Sequence, residues 1–332
     1  MGTLKAGHDI IVIGASAGGV SALSEIVRGL PKDLPAAVFV VLHISRYGTS
    51  AMPAILGRAG NMPAAHPSDG EPIRQGHIYV APPDHHLVIE DGQVGLSRAP
   101  SENGHRPAID VLFRTAAYAY GPRVVGVVLT GNLDDGTAGL AEIKSYGGVA
   151  VVQDPAEADY PGMPSSAAEN VPVDYIQSLK TIPPLLVNLA NDPVEVDPAQ
   201  SGQEGREMKE NLEKGADREP GVPSGFTCPE CGGALWESHV HEVVHFRCRT
   251  GHAFSPESLL AEQSDLLEGS LWAAVRALQE NASLARRMER WMRQRGNEFG
   301  QNRYGSRAAE AEAHAEVIRK LLIHEDASEP VA

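Results

Sequence analysis

Along the first 190 residues, unbroken runs of apolar, mostly β-branched residues alternate with stretches of helical period. The runs IIVIG from Ile10, AVFVVL from Ala37, RVVGVVLT from Arg123 and VAVVQD from Val149 each predict a strand buried on both faces. Between them, helices are predicted over residues 19–27, 50–58 (with Pro53 near its start), 108–120 and 137–146. The third carries Ile109, Leu112, Phe113 and Ala116 on one face, and Gly147-Gly148 closes the fourth. The alternation predicts right-handed βαβ units, hence a doubly wound, mainly parallel α/β sheet. Residues 77–98 break it with short strands around Pro82-Pro83 and Asp91-Gly92, the signature of a β-hairpin extension on the sheet. There, adjacent His85 and His86 would point to opposite faces as surface or rim residues.

From 191 to 224 the periodicity disappears under Pro, Gly, Glu, Lys and Gln, which predicts a polar linker. Residues 225–255 contain all three cysteines. Cys228-x2-Cys231 followed by Cys248-x3-His252 is the ligand spacing of a Cys3His structural zinc site on a small zinc-ribbon-like module; free buried thiols are the alternative. His239, His241 and His245 alternate with Val and are expected at the surface. Residues 256–325 read as a C-terminal helical hairpin. Leu259, Leu260, Leu266, Leu267, Leu271, Trp272, Val275, Leu278 and Leu284 make an apolar stripe, and Gly296, Gly300 and Gly305 break the helix. The arginines Arg286, Arg287, Arg290, Arg293 and Arg295 read as a solvated helix face, with docking of an acidic partner as the alternative.

A length of 332 residues allows roughly two domains. The net charge of -15 excludes nucleic acid as the expected partner, since a phosphate backbone is held by Lys and Arg. No apolar run approaches the roughly 18 residues of a membrane span, and MGTLKAGHD leaves no room for a signal peptide, so the expected location is cytoplasmic, without membrane insertion. Three cysteines, an odd number, argue against a disulfide framework.

The candidate chemistry sits where strands end. Gly14-Ala15-Ser16-Ala17-Gly18-Gly19 joins the first strand to the first helix, so Ser16 lies on a tight turn at which helix N–H groups converge. Such a turn suits an anion or serves as a nucleophile elbow. His43 follows the second strand, and Asp134 and Asp135 follow the RVVGVVLT strand; ligands of an open parallel sheet bind outside these carboxyl ends. A Ser, a His and an Asp from three strands can thus converge, although each alone is as readily a turn, packing or capping residue.

GASAGG with Ser16, LHIS with His43, GHRPAIDVLF from Gly104, LTGNLDDG with Asp135 and PGMP from Pro161 together resemble the catalytic domain of CheB-type protein-glutamate methylesterases of bacterial chemotaxis. The resemblance covers roughly residues 8–190. It implies Ser16 as nucleophile, His43 as general base and Asp135 as the residue that orients the base, acting without a catalytic cofactor. It further implies hydrolysis of glutamate methyl esters on chemoreceptor-like signalling proteins, with deamidation of glutamine through the same acyl-enzyme. The chain departs from the family at Asn132-Leu133, where Met-Gly is usual and a backbone N–H is implicated in the oxyanion site. It departs again at Ser165-Ser166, where an Arg often follows PGMP. The family's receiver domain does not precede the catalytic strand here, so the expectation is constitutive activity or another form of control. The alternative to an enzyme is a signalling scaffold that keeps the fold and uses the zinc and helical tail for contacts.

Overall fold

The computed structural model describes residues 5–195, 221–240 and 243–325. The chain divides into two compact units, Met1–Leu259 and Leu260–Ala332. In chain order the first unit runs β1 (Lys5–Ala6), β2 (Ile10–Ala15), α1 (Gly19–Gly29), β3 (Ala37–Leu42), α2 (Met52–Ala59), β4 (Ala64–Ala65), β5 (Glu71–Pro72), β6 (Ile78–Val80), β7 (His86–Glu90), β8 (Gln93–Ser97) and α3 (Ile109–Tyr120). It continues with β9 (Val124–Val128), α4 (Thr137–Ser145), β10 (Val149–Gln153), α5 (Gly162–Asn170), β11 (Tyr175–Gln177), α6 (Ile182–Asn191) and β12 (Val194–Glu195).

Seven strands form one sheet in the order β11-β10-β9-β2-β3-β6-β4, with every neighbouring pair parallel. The apolar runs are continuous because both faces are covered. Ile11, Ile13 and Ala15 of β2 pack with Leu23, Ile26, Leu56 and Leu186 on one side, while Ile10 and Val12 pack with Ile109, Leu112, Leu140 and Met163 on the other. The connection leaves β2 toward β3 and later returns to its other edge as β9, so the carboxyl end of β2 is the topological switch point of the sheet. The predicted hairpin β7–β8 forms, and with β5 it makes a three-stranded antiparallel sheet of its own.

His86 is not the rim residue expected. Helix α3 covers the hairpin, every residue of β7 is buried, and the His86 ring accepts the Ala108 N–H at Nδ1 (3.2 Å) and donates from Nε2 to the Pro100 carbonyl (3.1 Å). Burial pushes its pKa down to about 4, so the ring is a neutral core histidine.

The segment read as a linker lies outside the described residues from 196 to 220. Beyond it, β13 (Val222–Thr227), β14 (Ala234–Val240), β15 (Val243–Cys248) and β16 (Ala253–Phe254) make an antiparallel sheet around Leu235, Phe246, Phe254 and Leu259. Of the three histidines expected at its surface, His239 is exposed and His241 lies outside the described residues. His245 is buried, contrary to expectation; desolvation pushes its pKa down to about 4 despite the charge of nearby Glu102.

Two helices follow, α7 (Pro256–Gln294) and α8 (Glu298–Glu325). Arg295, Gly296 and Asn297 separate them, and of the three glycines only Gly296, in the left-handed region at φ 69°, lies between the helices; Gly300 and Gly305 lie inside α8. An interior glycine costs a helix about 1 kcal/mol, too little to end one, and Asn297 restarts the chain as a cap by accepting the Gly300 N–H (2.8 Å). The expected apolar stripe is buried only in part. Leu259 and Val275 are covered, whereas Leu260, Leu266, Leu267, Trp272 and Leu284 are exposed, because small residues such as Ala282, Ala285, Ala308, Ala311 and Ala315 supply much of the buried surface of the second unit. The basic face is ion-paired: Arg286 reaches Glu289 and Glu312, and Arg293 reaches Glu289. Among the described residues no helix is long and apolar enough to cross a membrane.

Candidate active site

Ser16, His43 and Asp135 leave the sheet at the carboxyl ends of three adjacent strands. Strands β2 and β3 pair through Ala15 and Leu42, which makes Ser16 and His43 the next residues across the ladder. The His43 N–H donates to the Ala15 carbonyl (3.1 Å) and the Ser16 N–H to that of Thr130 (3.0 Å), so Ser16 is pinned between the ends of β3 and β9. The chain then turns sharply. The Gly19 N–H donates back to the Ser16 carbonyl (2.9 Å), and Gly18, at φ 74°, adopts a conformation that L side chains resist.

His43 Nε2 lies 2.7 Å from Asp135 Oδ2, and the opposite ring nitrogen, Nδ1, is buried without a hydrogen-bond partner among the described residues. The ring stacks on His105 with centroids 3.6 Å apart. Burial and the neighbouring His43 push the His105 pKa down to about 4, so a neutral ring backs the first.

Asp135 is fully enclosed. Besides His43 it accepts the Ile109 N–H (2.7 Å) and the Asp110 N–H (3.2 Å) at the N-terminus of α3, and the Asn103 side-chain amide (3.0 Å). Burial opposes its ionisation, but the His43 contact and the Ile109 amide outweigh that cost and hold the carboxyl below the ordinary range. Asp110 takes the opposite course: burial and the charge of Asp135 raise its pKa well above the usual value. Asp134 points elsewhere, its Oδ1 accepting the hydroxyls of Ser255 (2.7 Å) and Ser258 (3.0 Å), and burial pushes its pKa up to about 6.

The segment following β9 is held close to Ser16. A Cβ on Gly131 would fall 2.1 Å from Met163 Sδ and 2.8 Å from Ser16 Cβ, so only glycine fits. The Gly131 N–H donates to the Tyr160 carbonyl (2.9 Å) and its carbonyl accepts the Met163 N–H (2.8 Å), which docks the PGMP segment here. Leu133 sits at φ 58°, a conformation costing an L-residue about 1–2 kcal/mol. A glycine at this position would avoid that cost.

The four candidate metal ligands also come together. Cys228, Cys231, Cys248 and His252 place their donor atoms within 4.8 Å of one another. Cys231 Sγ and Cys248 Sγ are 3.7 Å apart, and His252 Nδ1 lies 3.7 Å from Cys228 Sγ and 3.5 Å from Cys248 Sγ. A tetrahedral zinc ion with bonds of about 2.0–2.3 Å requires donor spacings of about 3.5–3.8 Å, so the set fits. His252 Nε2 faces Glu230 (3.3 Å), a carboxylate placed to orient the ring with Nδ1 toward the cysteines.

Asn103, His105 and Asp110 surround Asp135; the last two lie in the GHRPAIDVLF segment, in which nothing in the residue pattern gives them a role. The Asn103-Gly104 pair was a visible signal, since Asn-Gly marks left-handed backbone, and both residues have positive φ.

The family model described as CheB methylesterase matches residues 11–186. A relative from Leptospira interrogans is 41% identical over 189 residues, covering 57% of this chain and 98% of that protein. The protein-glutamate methylesterase/protein-glutamine glutaminase 2 of Anaeromyxobacter dehalogenans is 39% identical over 181 residues, which cover 54% of this chain and 53% of that protein. Among solved structures, the Thermotoga maritima CheB methylesterase catalytic domain superposes with a TM-score of 0.53 at 34% identity, covering 55% of this chain and 98% of that one. With a family match over more than half of its length and the fold in agreement, the chain belongs to the CheB methylesterase family.

Proposed function

We propose that this protein is a cytoplasmic serine esterase that hydrolyses glutamate methyl esters on methylated chemoreceptor-like proteins, releasing methanol, and that it deamidates glutamine at the same site. The observation that carries this reading is the His43–Asp135 pair, with an ionised carboxylate on one ring nitrogen and a bare, buried nitrogen on the other. Ser16 Oγ attacks the ester carbonyl while His43 takes its proton at Nδ1, and Asp135 stabilises the imidazolium that results. The tetrahedral intermediate collapses with the proton passing from His43 to the departing methoxide, which leaves as methanol. Water then attacks the acyl-enzyme by the same relay, restoring Ser16 and freeing the glutamate carboxylate. Backbone N–H groups near Ala17 and Asn132 flank the Ser16 turn and serve the developing oxyanion, a contribution of about 3 kcal/mol per donor.

In this reading residues 8–190 are the catalytic domain, 191–224 a linker, 225–255 a module held by a structural zinc ion on Cys228, Cys231, Cys248 and His252, and 256–325 a helical hairpin. The metal supports folding and takes no part in the reaction. An ionised, buried Asp135 on His43 favours hydrolysis over the scaffold alternative, for which a buried carboxylate at this rim has no use.

Methanol release from a methylated receptor, compared for wild type and Ser16→Ala, tests the assignment. Release by the wild type and none by the variant is expected; equal rates remove Ser16 as nucleophile. Metal analysis of protein never exposed to chelators should give one zinc per chain, and its absence counts against the Cys3His site.

A further inference from the structure

The module that carries the metal ligands packs onto the loop that supports Asp135. Strand β16 begins one residue after His252, and its Ala253 carbonyl accepts the Asn103 N–H (2.8 Å) while the Ala253 N–H donates to the Ser101 carbonyl (3.3 Å). Two residues further on, the Ser255 N–H donates to Asn103 Oδ1 (2.9 Å). Asn103 is thereby held by both its backbone and its side chain, and its Nδ2 donates to Asp135 Oδ1 and to Asp110 Oδ2, both at 3.0 Å. Neighbouring ties reinforce the contact. Glu102 is buried between Arg114 (2.8 Å) and Arg247 (3.2 Å), the residue before Cys248. Glu230, which faces His252, accepts the Ser101 hydroxyl. Ser255 and Ser258 anchor the start of α7 on Asp134, next to Asp135 in the chain.

Asn103 stands at φ 52°, and its amide bonds both Asp110 and Asp135, so a small rotation of the loop would remove a donor from the carboxylate that faces His43. The ligands Cys248 and His252 bracket the turn that leads into β16, where the Cys248 N–H donates to the His252 carbonyl (3.0 Å). A metal holding both side chains fixes that turn, and the turn fixes Ala253 and Ser255.

Resting on the esterase and zinc readings above, we propose that Asn103 is a positioning residue for Asp135 and that the Cys/His module sets it. Metal occupancy then controls the turnover of Ser16 from behind the site, without any contact between metal and substrate.

The test uses the full chain and a peptide containing glutamate γ-methyl ester. Turnover is measured for wild type, Asn103→Ala and the isosteric Asn103→Asp, each before and after metal is stripped by a chelator. Exchange protection of the Asn103 side-chain amide protons is followed by NMR in wild-type protein. Loss of one hydrogen bond to a charged group corresponds to about a tenfold to hundredfold effect. Stripping metal from the wild type should therefore lower kcat at least tenfold with KM within about twofold, and the Asn103 amide protons should lose protection. Both variants should show a similar fall in kcat while loaded, and stripping them should add little, because module and amide act through one contact. Should Asn103→Ala fail to fold, Asn103→Asp, which keeps the acceptor for Ser255, and the wild-type exchange measurement still decide. Unchanged kcat and amide protection in stripped wild type overturn the proposal, as does a full multiplication of the two effects. Turnover that survives Ser16→Ala would instead remove the esterase reading, while Ser16-dependent turnover indifferent to metal and Asn103 removes this inference alone.

Discussion

His43 Nε2 and Asp135 Oδ2 lie 2.7 Å apart in a site where both side chains are almost wholly enclosed, 6% and 3% exposed. The carboxylate occupies Nε2, which leaves Nδ1 as the ring nitrogen without a partner among the described residues. Asp135→Asn replaces an acceptor with an amide among donors from Ile109, Asp110 and Asn103. Ester turnover should fall by on the order of 10³–10⁴, measured as kcat on a methylated substrate, with a lower Tm as well. A loss under tenfold would remove Asp135 from the mechanism.

Gly131 bears on the same geometry from the other side. Gly131→Ala places a methyl group against Met163 Sδ and Ser16 Cβ, and although the thioether can move, the Ser16 turn cannot do so without displacing its hydroxyl. A displacement near 1 Å costs about 100-fold in rate. We expect kcat to fall by that order with KM little changed. Wild-type kcat in this variant would mean that the Ser16 turn is pliable.

Leu133 carries a strain that a glycine would release. Relief of about 1–2 kcal/mol is offset by roughly 0.4–1 kcal/mol of added freedom in the unfolded chain. Leu133→Gly should be neutral or stabilising by up to about 1 kcal/mol in chemical denaturation. Leu133→Val, stiffer at Cβ, should fall below wild type. A Val variant as stable as the Gly variant would show that the backbone does not hold φ 58° in solution.

The pH dependence of stability separates the buried acids by sign. Burial raises Asp134 to about 6, so between its unfolded value near 4 and pH 6 the folded state binds the proton more tightly and stability falls as pH rises. Asp135 and Glu102 are depressed, the first by His43 and the second by Arg114 and Arg247 against the cost of burial. Their stabilisation is complete above about pH 4 and is lost as pH drops through their folded values. Tm curves of wild type and Asp134→Asn should therefore diverge between about pH 4 and 6, the variant gaining by up to about 3 kcal/mol, and run parallel above that. Curves parallel throughout would mean that Asp134 ionises in the fold as it does in the open chain.

Much of this architecture was legible from the chain itself, because its signals are local. The runs at Ile10, Ala37, Arg123 and Val149 could only be strands covered on both faces, and the Cys and His spacings named four side chains whose donor atoms lie within 4.8 Å of one another. Local order also put Ser16, His43 and Asp135 at strand ends. Tertiary structure decided which neighbours those residues meet. Alternation predicts His86 at the surface or rim and His245 at the surface, because it cannot say what packs on the other face of a strand, and both are buried. Asn103, His105 and Asp110 carry no periodic signal; they matter because one turn sets a ring on His43 and donors on Asp135. Above all, no spacing within residues 225–255 indicates that Ser255 bonds Asn103, 152 positions earlier in the chain. Covalent order fixes periodicity and spacing, whereas the packing of two separately encoded modules depends on shape and hydrogen-bond partners that exist only once both have folded.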